Sequence, residues 1–386
     1  MVKSIGIDPG TMTTDMFGFD DEKDEVVADE AIPREEITKN PALVLERLRM
    51  LSSKHEEIHA IVAPSGYGMP LKRAKDATEE EIALATFITK ADIRRRLKIV
   101  GLRELMHLLK GCEFNTRIWF TPGVIHLPTV PEHRKANRID MGTADKVFSA
   151  SLAVKDQSER LDLPYEETSL ILVEIGFAYT SALAVSQGRI IDATAGTAGF
   201  PSYLGLGFMD SELAYAIANT FEDFSKLNLF SGGAASLARI NPYEVSLEEF
   251  LELAKSDETV KEGYELLIES VMKDIGSLLP SVRPKEIVIS GRFTRIPLFH
   301  EEVKSRLNKF FSSIGLEANL VKLRSRGKMS KEAAEGAAVL ANGLAGGKYS
   351  NLIKVMNLRE SCGTILDHIY LGDEVSKRLN SYKSLN

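Results

Sequence analysis

Two related α/β domains are the fold class the sequence predicts, and three observations predict it. A three-stranded meander is spelled at the start of the chain, over residues 3–8, 13–19 and 25–32. The same meander recurs over 170–176, 179–185 and 189–193. After each one, helical periodicity alternates with short apolar strands, the pattern of a duplicated α/β unit.

In the first half, the apolar run 3–8 turns at Pro9-Gly10-Thr11 into the second strand, and Pro33 stops the third. Helical spacing follows over 41–54, then a compact strand at 58–63 that ends in Pro64-Ser65-Gly66-Tyr67-Gly68. Residues 78–110 read as helical, 117–120 as a strand, and Met141-Gly142-Thr143 as the opening of a helix expected to cross between the domains. In the second half, Gln187-Gly188 turns the meander. Helices are expected over 210–221, 247–279, 297–312 and 330–344, with strands at 286–290 and 317–323. The boundaries read from this pattern are 1–152 and 153–348, with a tail over 349–386 expected to pack on a domain or between two subunits.

Composition narrows the function classes. A chain of 386 residues with 44% hydrophobic residues can bury two cores. With 48 Lys and Arg against 55 Asp and Glu, the net charge of -7 gives nucleic acid or an anionic membrane no electrostatic attraction. The N-terminus has no signal-peptide layout and no apolar run reaches ~18 residues, so a cytoplasmic protein is expected. Two cysteines, Cys112 and Cys362, are too few for a disulfide framework or a metal cluster built within one chain.

Several turns carry chemistry. In the segment Asp8 to Asp15, a carboxylate at a strand end precedes Gly10 and the hydroxyls of Thr11, Thr13 and Thr14. Backbone N–H groups in such a turn can hold phosphate oxygens, and Asp8 can orient magnesium through its waters. An ordinary hairpin turn explains the same residues about as well. Glu174, Gly176, Thr180 and Ser181 occupy the equivalent place in the second meander, with Glu174 as a second carboxylate for the metal. Two such turns facing one another across a cleft would grip a polyphosphate. Ser290, Gly291 and Arg292, where a buried strand breaks, are candidates for the adenosine, and Gly232 and Gly233 for close backbone approach.

These residues together resemble the acetate and butyrate kinase branch of the actin-like ATPase superfamily, butyrate kinases most closely. The butyrate kinase first phosphate loop has the form Asn-Pro-Gly-Ser-x-Ser-Thr-Lys. Here Asp8-Pro9-Gly10-Thr11-Met12-Thr13-Thr14-Asp15 follows it, with Asp8 for the asparagine and Asp15 for the lysine. The run Gly188-Arg189-Ile190-Ile191-Asp192, the glycine-rich loop at Gly196, Gly199 and Pro201, and Glu335-Gly336-Ala337 near the C-terminus are similar to stretches of that family. The second loop departs from it, with Phe177 and Tyr179 where acyl kinases have glycines. More narrowly, the chain resembles an archaeal-type family described as predicted butyrate kinases. The resemblance implies two duplicated ribonuclease H-like lobes with mixed five-stranded sheets, a central nucleotide cleft, ATP and Mg2+ as cofactors, a small-molecule substrate and a homodimer.

An acyl kinase aligns a carboxylate with the γ-phosphoryl group and neutralises the charge that spreads over it. An ionised carboxylate needs no general base, whereas an alcohol acceptor gains from one. The charged segment 131–140 offers Arg134 and Arg138 for charge stabilisation and Asp140 as base or metal-orienting group, with Lys146, His126 and His133 behind them. Singly, each is as readily a solvated loop or helix-cap residue. Ser65, Gly66, Tyr67 and Gly68 are assigned to the acceptor. The expected activity is ATP-dependent phosphorylation of a small carboxylate. The alternatives are an ATPase or nucleotide-binding regulator of a protein partner, and a kinase for a small hydroxylated metabolite.

Overall fold

A computed structural model describes residues 1–384 apart from 56, 95–97, 114–115 and 223. The chain divides into two compact units: Met1–Thr168 with Ser186–Ile191 and Leu323–Asn386, and Ser169–Val185 with Asp192–Lys322. The division is not the contiguous one expected at 152/153: the helix there runs on from Ala144 to Leu161, and the chain returns to the first unit twice.

The first unit is built on a six-stranded mixed sheet in the order β3-β2-β1-β4-β6-β5. Its strands are β1 (Lys3–Pro9), β2 (Thr13–Asp20), β3 (Glu25–Pro33), β4 (Ala60–Val62), β5 (Lys72–Arg73) and β6 (Arg117–Phe120). β1 pairs antiparallel with β2 and parallel with β4. Ile5 and Ile7 of β1 are fully buried, which makes it the central strand of the core. The edge strand β5, two residues of lysine and arginine, carries no apolar signal and was not expected.

The second unit holds a five-stranded sheet in the order β11-β10-β7-β8-β9. These are β7 (Ser169–Ile175), β8 (Thr180–Ser186), β9 (Arg189–Ala195), β10 (Glu286–Ser290) and β11 (Asn319–Lys322). Reversed, that order is the β3-β2-β1-β4-β6 order of the first unit, so each meander is followed by two parallel strands in the same places. The duplication read from the sequence is thus the architecture itself.

The helices used below are α1 (Leu43–Lys54), α2 (Glu79–Thr86), α3 (Lys98–Lys110), α4 (Ala144–Leu161), α5 (Ser211–Thr220), α6 (Glu258–Leu278), α7 (Pro297–Ile314) and α8 (Glu332–Ala345). Two expected helices are broken. The 78–110 run ends its first part at Phe87, which adopts φ 44° after a capping box at Thr78 and Glu81. The 247–279 run is interrupted before α6, because Asp257 turns its carboxylate onto the N–H groups of Thr259 and Val260 as a cap. Among the described residues no helix is long and apolar enough to cross a membrane.

One packing relationship positions the site. Helix α8 lies directly on β1: a side chain at Gly6 would stand 2.2 Å from the Ala338 nitrogen. On its other side α8 meets α4, where a side chain at Gly336 would stand 2.0 Å from the Phe148 carbonyl oxygen. Ser151 of α4 donates a hydrogen bond to the Gly336 carbonyl at 3.1 Å. Glycine at both places lets helix and strand, and helix and helix, approach closely.

Candidate functional site

At the end of β1 the chain turns through Gly10, Thr11 and Met12, and α8 brings an unexpected residue to that turn. The Lys331 ammonium lies 2.8 Å from Asp8 Oδ2 and 3.5 Å from Asp15 Oδ2. Its backbone N–H donates to Asp15 Oδ2 at 3.0 Å. A side chain on Gly10 would meet the ammonium at 1.9 Å, so the lysine covers the glycine directly. Lys331 is the N-cap residue of α8, and the residues before it are clamped to β3. Asp29 accepts hydrogen bonds from the N–H groups of Lys328 (2.7 Å) and Ser330 (2.9 Å) and from the Ser330 hydroxyl (2.7 Å). Burial works to raise the Asp29 carboxyl, but those donors bring it below the ordinary carboxylate range.

Asp8 is buried, and burial pushes its carboxyl up to about 6 despite the Lys331 ammonium; Asp145 and Asp15 add to the rise. Asp15 and Thr14 are fully buried, and among the described residues Asp15 Oδ1 and Thr14 Oγ1 have no hydrogen-bond partner. Thr11 is exposed and Thr13 half-buried, so the three hydroxyls of the turn face different surroundings. Arg34 donates to the Pro9 carbonyl at 3.4 Å from the end of β3. Burial lowers its guanidinium pKa, and Asp8 opposes that.

The N-terminus of α4 supplies a second group in the first unit. Asp145 accepts from the Thr143 hydroxyl and lies 2.8 Å from the Lys146 ammonium. Burial acts to raise Asp145, yet Lys146, Thr143 and Lys331 together hold it below the usual range. The turn expected to line the acceptor site meets this helix: the Ala144 N–H donates to the Gly66 carbonyl at 2.9 Å. The Ser65 hydroxyl accepts from Thr121 N–H at 3.0 Å, Gly68 leaves no room for a side chain beside Gly123, and Tyr67 stacks edge-on with Phe87.

The candidates of segment 131–140 lie in different surroundings. Arg134 donates to the Ile191 carbonyl at 2.7 Å, a contact within the first unit. Asp140 is buried and accepts from the Gly142 N–H at 3.0 Å, a local turn just before α4. Arg138 is half-buried. His126 is buried, which pushes its imidazole down to about 4 and keeps it neutral, and His133 is exposed.

In the second unit, Ser290 is the register partner of Glu174 across the parallel β10–β7 pair. Gly291 adopts φ 94° and packs on Ile175, where a side chain would stand 2.5 Å from the carbonyl oxygen. Arg292 follows on a short 3-10 turn. The second meander turn is filled by its own bulk. Tyr179 donates to the Leu229 carbonyl at 2.6 Å, its ring occupies the space beside Gly205, and Phe177 packs on Tyr203. Gly176 is closed by the Tyr179 carbonyl at 2.8 Å, and Thr180 N–H is bound to the Ser202 hydroxyl at 2.7 Å. The hydroxyls of Thr180, Ser181 and Ser290 are buried without partners among the described residues. Gly232 pairs with Gly205 in a β-bridge, and a side chain on Gly233 would stand 2.3 Å from the Ser202 carbonyl oxygen.

For magnesium, the first turn fits only as a single outer carboxylate. Asp8 is already engaged by Lys331, and among the described residues no three His, Cys, Asp or Glu side chains converge. The residues that sequence reading missed are Lys331, Asp145, Thr143 and Arg34. Lys331 stands 323 positions from Asp8.

Two α/β units with one shared strand order, each meander turning at a strand end, are a fold this chain shares with solved acetate and propionate kinases. The chain belongs to the family described as protein of unknown function (DUF1464), whose model matches residues 6–371. Among solved structures it is similar to a propionate kinase from Francisella tularensis, at 13% identity and a TM-score of 0.61, over 88% of this chain and 98% of that one. It is also similar to the acetate kinase of Porphyromonas gingivalis, at 15% identity and a TM-score of 0.59, over 88% and 99%. The acetate kinase of Entamoeba histolytica aligns at 12% identity and a TM-score of 0.55, over 80% and 87%. No curated protein matches the sequence.

Proposed function

We propose that this protein is an ATP-dependent kinase that phosphorylates a small carboxylate. The observation that carries the reading is the turn at the end of β1, where Gly10 lies against the Lys331 ammonium and is followed by the exposed Thr11. A backbone turn, a hydroxyl and a cation are what a polyphosphate requires. The fold shared with acetate and propionate kinases supports the same choice of chemistry. A homodimer in the cytoplasm belongs to this reading as well.

In this scheme the acceptor carboxylate is the nucleophile and arrives ionised, so no proton has to be removed. Lys331 and Lys146 are the cations of the first unit placed to offset charge on the transferring group, and Thr143 and Asp145 hold Lys146 at the start of α4. Magnesium, when bound with the nucleotide, neutralises charge on its phosphate oxygens; Asp8 is the residue of this chain placed to meet its water shell. Gly66, whose carbonyl accepts from Ala144 of α4, and Tyr67, packed edge-on against Phe87, border the acceptor.

The test is phosphoryl transfer from labelled ATP to acetate, propionate, butyrate and longer acids, trapped as hydroxamates. Hydroxamate formation with one of these acids is the expected result. Transfer to none of the acids, but to a sugar or polyol, would move the acceptor to a hydroxyl. One observation favours a second reading: Tyr179 and Phe177 fill the second meander turn, which suits binding of a nucleotide without turnover. Tight ATP binding with no transfer to any acceptor would select it.

A further inference from the structure

We infer that Lys331 is the anion-receiving cation of the first turn, delivered to Gly10 from the N-cap of α8, and that its ligand is the polyphosphate of a nucleoside di- or triphosphate. This rests on the proposed nucleotide reading and assigns a residue to it that the loop sequence alone does not contain. Where the resembling loop carries a lysine, this chain has Asp15, and the cation comes from the far end of the sequence instead.

The geometry separates this role from a plain structural ion pair. An ammonium 1.9 Å from where a carbon on Gly10 would be is within reach of anything that approaches the turn. Its side chain keeps 21% of its surface exposed, while the Asp8 side chain beneath it keeps 5%. The two carboxylates therefore lie inward of the lysine, and the lysine faces outward over the exposed turn. Asp8 and Asp15 fix it from below, its own N–H is tied to Asp15, and Asp29 clamps the preceding residues to β3. A flexible lysine is thereby held in one place before any ligand arrives, which lowers the ordering cost of binding. No other described residue places an ammonium on Gly10 among its three nearest atoms.

The test is calorimetric titration of the full-length wild type, Lys331→Ala and Lys331→Arg with tripolyphosphate, ATP and adenosine, with and without magnesium. Removing the ammonium would leave Asp8 and Asp15 facing each other, so Lys331→Ala/Asp15→Asn is titrated as well, in case the single variant does not fold. The expected result is at least a tenfold loss of tripolyphosphate and ATP affinity in the alanine variants, adenosine affinity unchanged, and recovery to within about threefold in Lys331→Arg. A merely structural lysine would weaken adenosine and ATP alike. Equal tripolyphosphate binding by wild type and the alanine variants, or none by the wild type, would overturn the inference. Lysine-dependent tripolyphosphate binding with no phosphoryl transfer would leave it standing and remove the kinase reading. Transfer that survives in Lys331→Ala would do the reverse.

Discussion

Asp8 and Asp15 are register partners across the first hairpin, so their carboxylates stand on one face of the sheet with the Lys331 ammonium reaching both. Like charges directly opposite one another in an antiparallel pair are destabilising, and here both are buried. The lysine offsets a repulsion that the hairpin creates by itself.

It follows that Lys331→Ala destabilises the first unit by about 3 kcal/mol, the scale for breaking a buried pair from one side. Adding Asp15→Asn recovers part of that loss. Urea unfolding of the two single variants and the double variant measures the coupling, and additive losses would mean that the three groups do not act together.

The Asp8 carboxyl titrates near pH 6, and Lys331→Ala moves the midpoint higher because the ammonium works against burial. Carbon-13 NMR of aspartate-labelled protein reads it directly. A midpoint at or below 4 would show that water reaches the carboxylate.

Asp274, on α6 of the second unit, gives the clearest pH signature. It is fully buried, accepts from the Phe200 N–H at 3.1 Å, and burial pushes its carboxyl up to about 8. A raised folded-state pKa means that the folded chain holds the proton between about pH 4 and 8 while the unfolded chain has lost it. Stability therefore falls as pH rises through that window, by up to about 1.4 kcal/mol per pH unit, and levels off above it. Asp274→Asn keeps the acceptor for Phe200 and removes this slope, so its melting temperature exceeds that of the wild type at pH 9. Parallel pH slopes for the two proteins would refute the assignment.

Gly336→Ala places a carbon about 2 Å from the Phe148 carbonyl, and the expected cost is about 1–3 kcal/mol or more as α8 lifts from α4. Because α8 carries Lys331, the variant should also lose affinity for tripolyphosphate. A drop in the denaturation midpoint with full tripolyphosphate binding would show that the helix shifts without moving its first residue.

At the C-terminus, the His368 ring and the Tyr370 hydroxyl both bind Glu132, and the Asn137 side chain accepts from the Tyr370 N–H at 2.7 Å. Glu132→Ala should release this segment to limited proteolysis at Tyr370. Unchanged protection would place the anchoring on Asn137, through its backbone N–H and its side chain.

How far the sequence carried the reading depended on distance along the chain. The meanders were legible because each strand alternates or runs apolar between turn residues, as 3–8 and 286–290 do. Asp8, Gly10 and the threonines formed a compact motif and were read together. Lys331 was not, since nothing local distinguishes it from the other lysines at helix ends, and its meaning arises only when α8 lands on Gly6. Arg134 was read from a charge run alone, and the bond from its guanidinium to the Ile191 carbonyl joins residues too far apart in the chain for that run to reveal. The breaks at Phe87 and Asp257 were invisible to periodicity because apolar spacing continues on both sides of them.

The seat of α8 on β1 also orders events during synthesis. The central strand of the first unit is translated before the second unit, and the helix that lies on it is translated after the last residue of that unit. The face of β1 that carries Gly6 has to wait uncovered until the residues of α8 have emerged, whereas Ile5 and Ile7, on the opposite face, pack among residues made early, such as Val44 and Leu48. Loss of α8 would be felt at β1, and a chaperone that shields that face would have to hold it while the whole of the second unit is made.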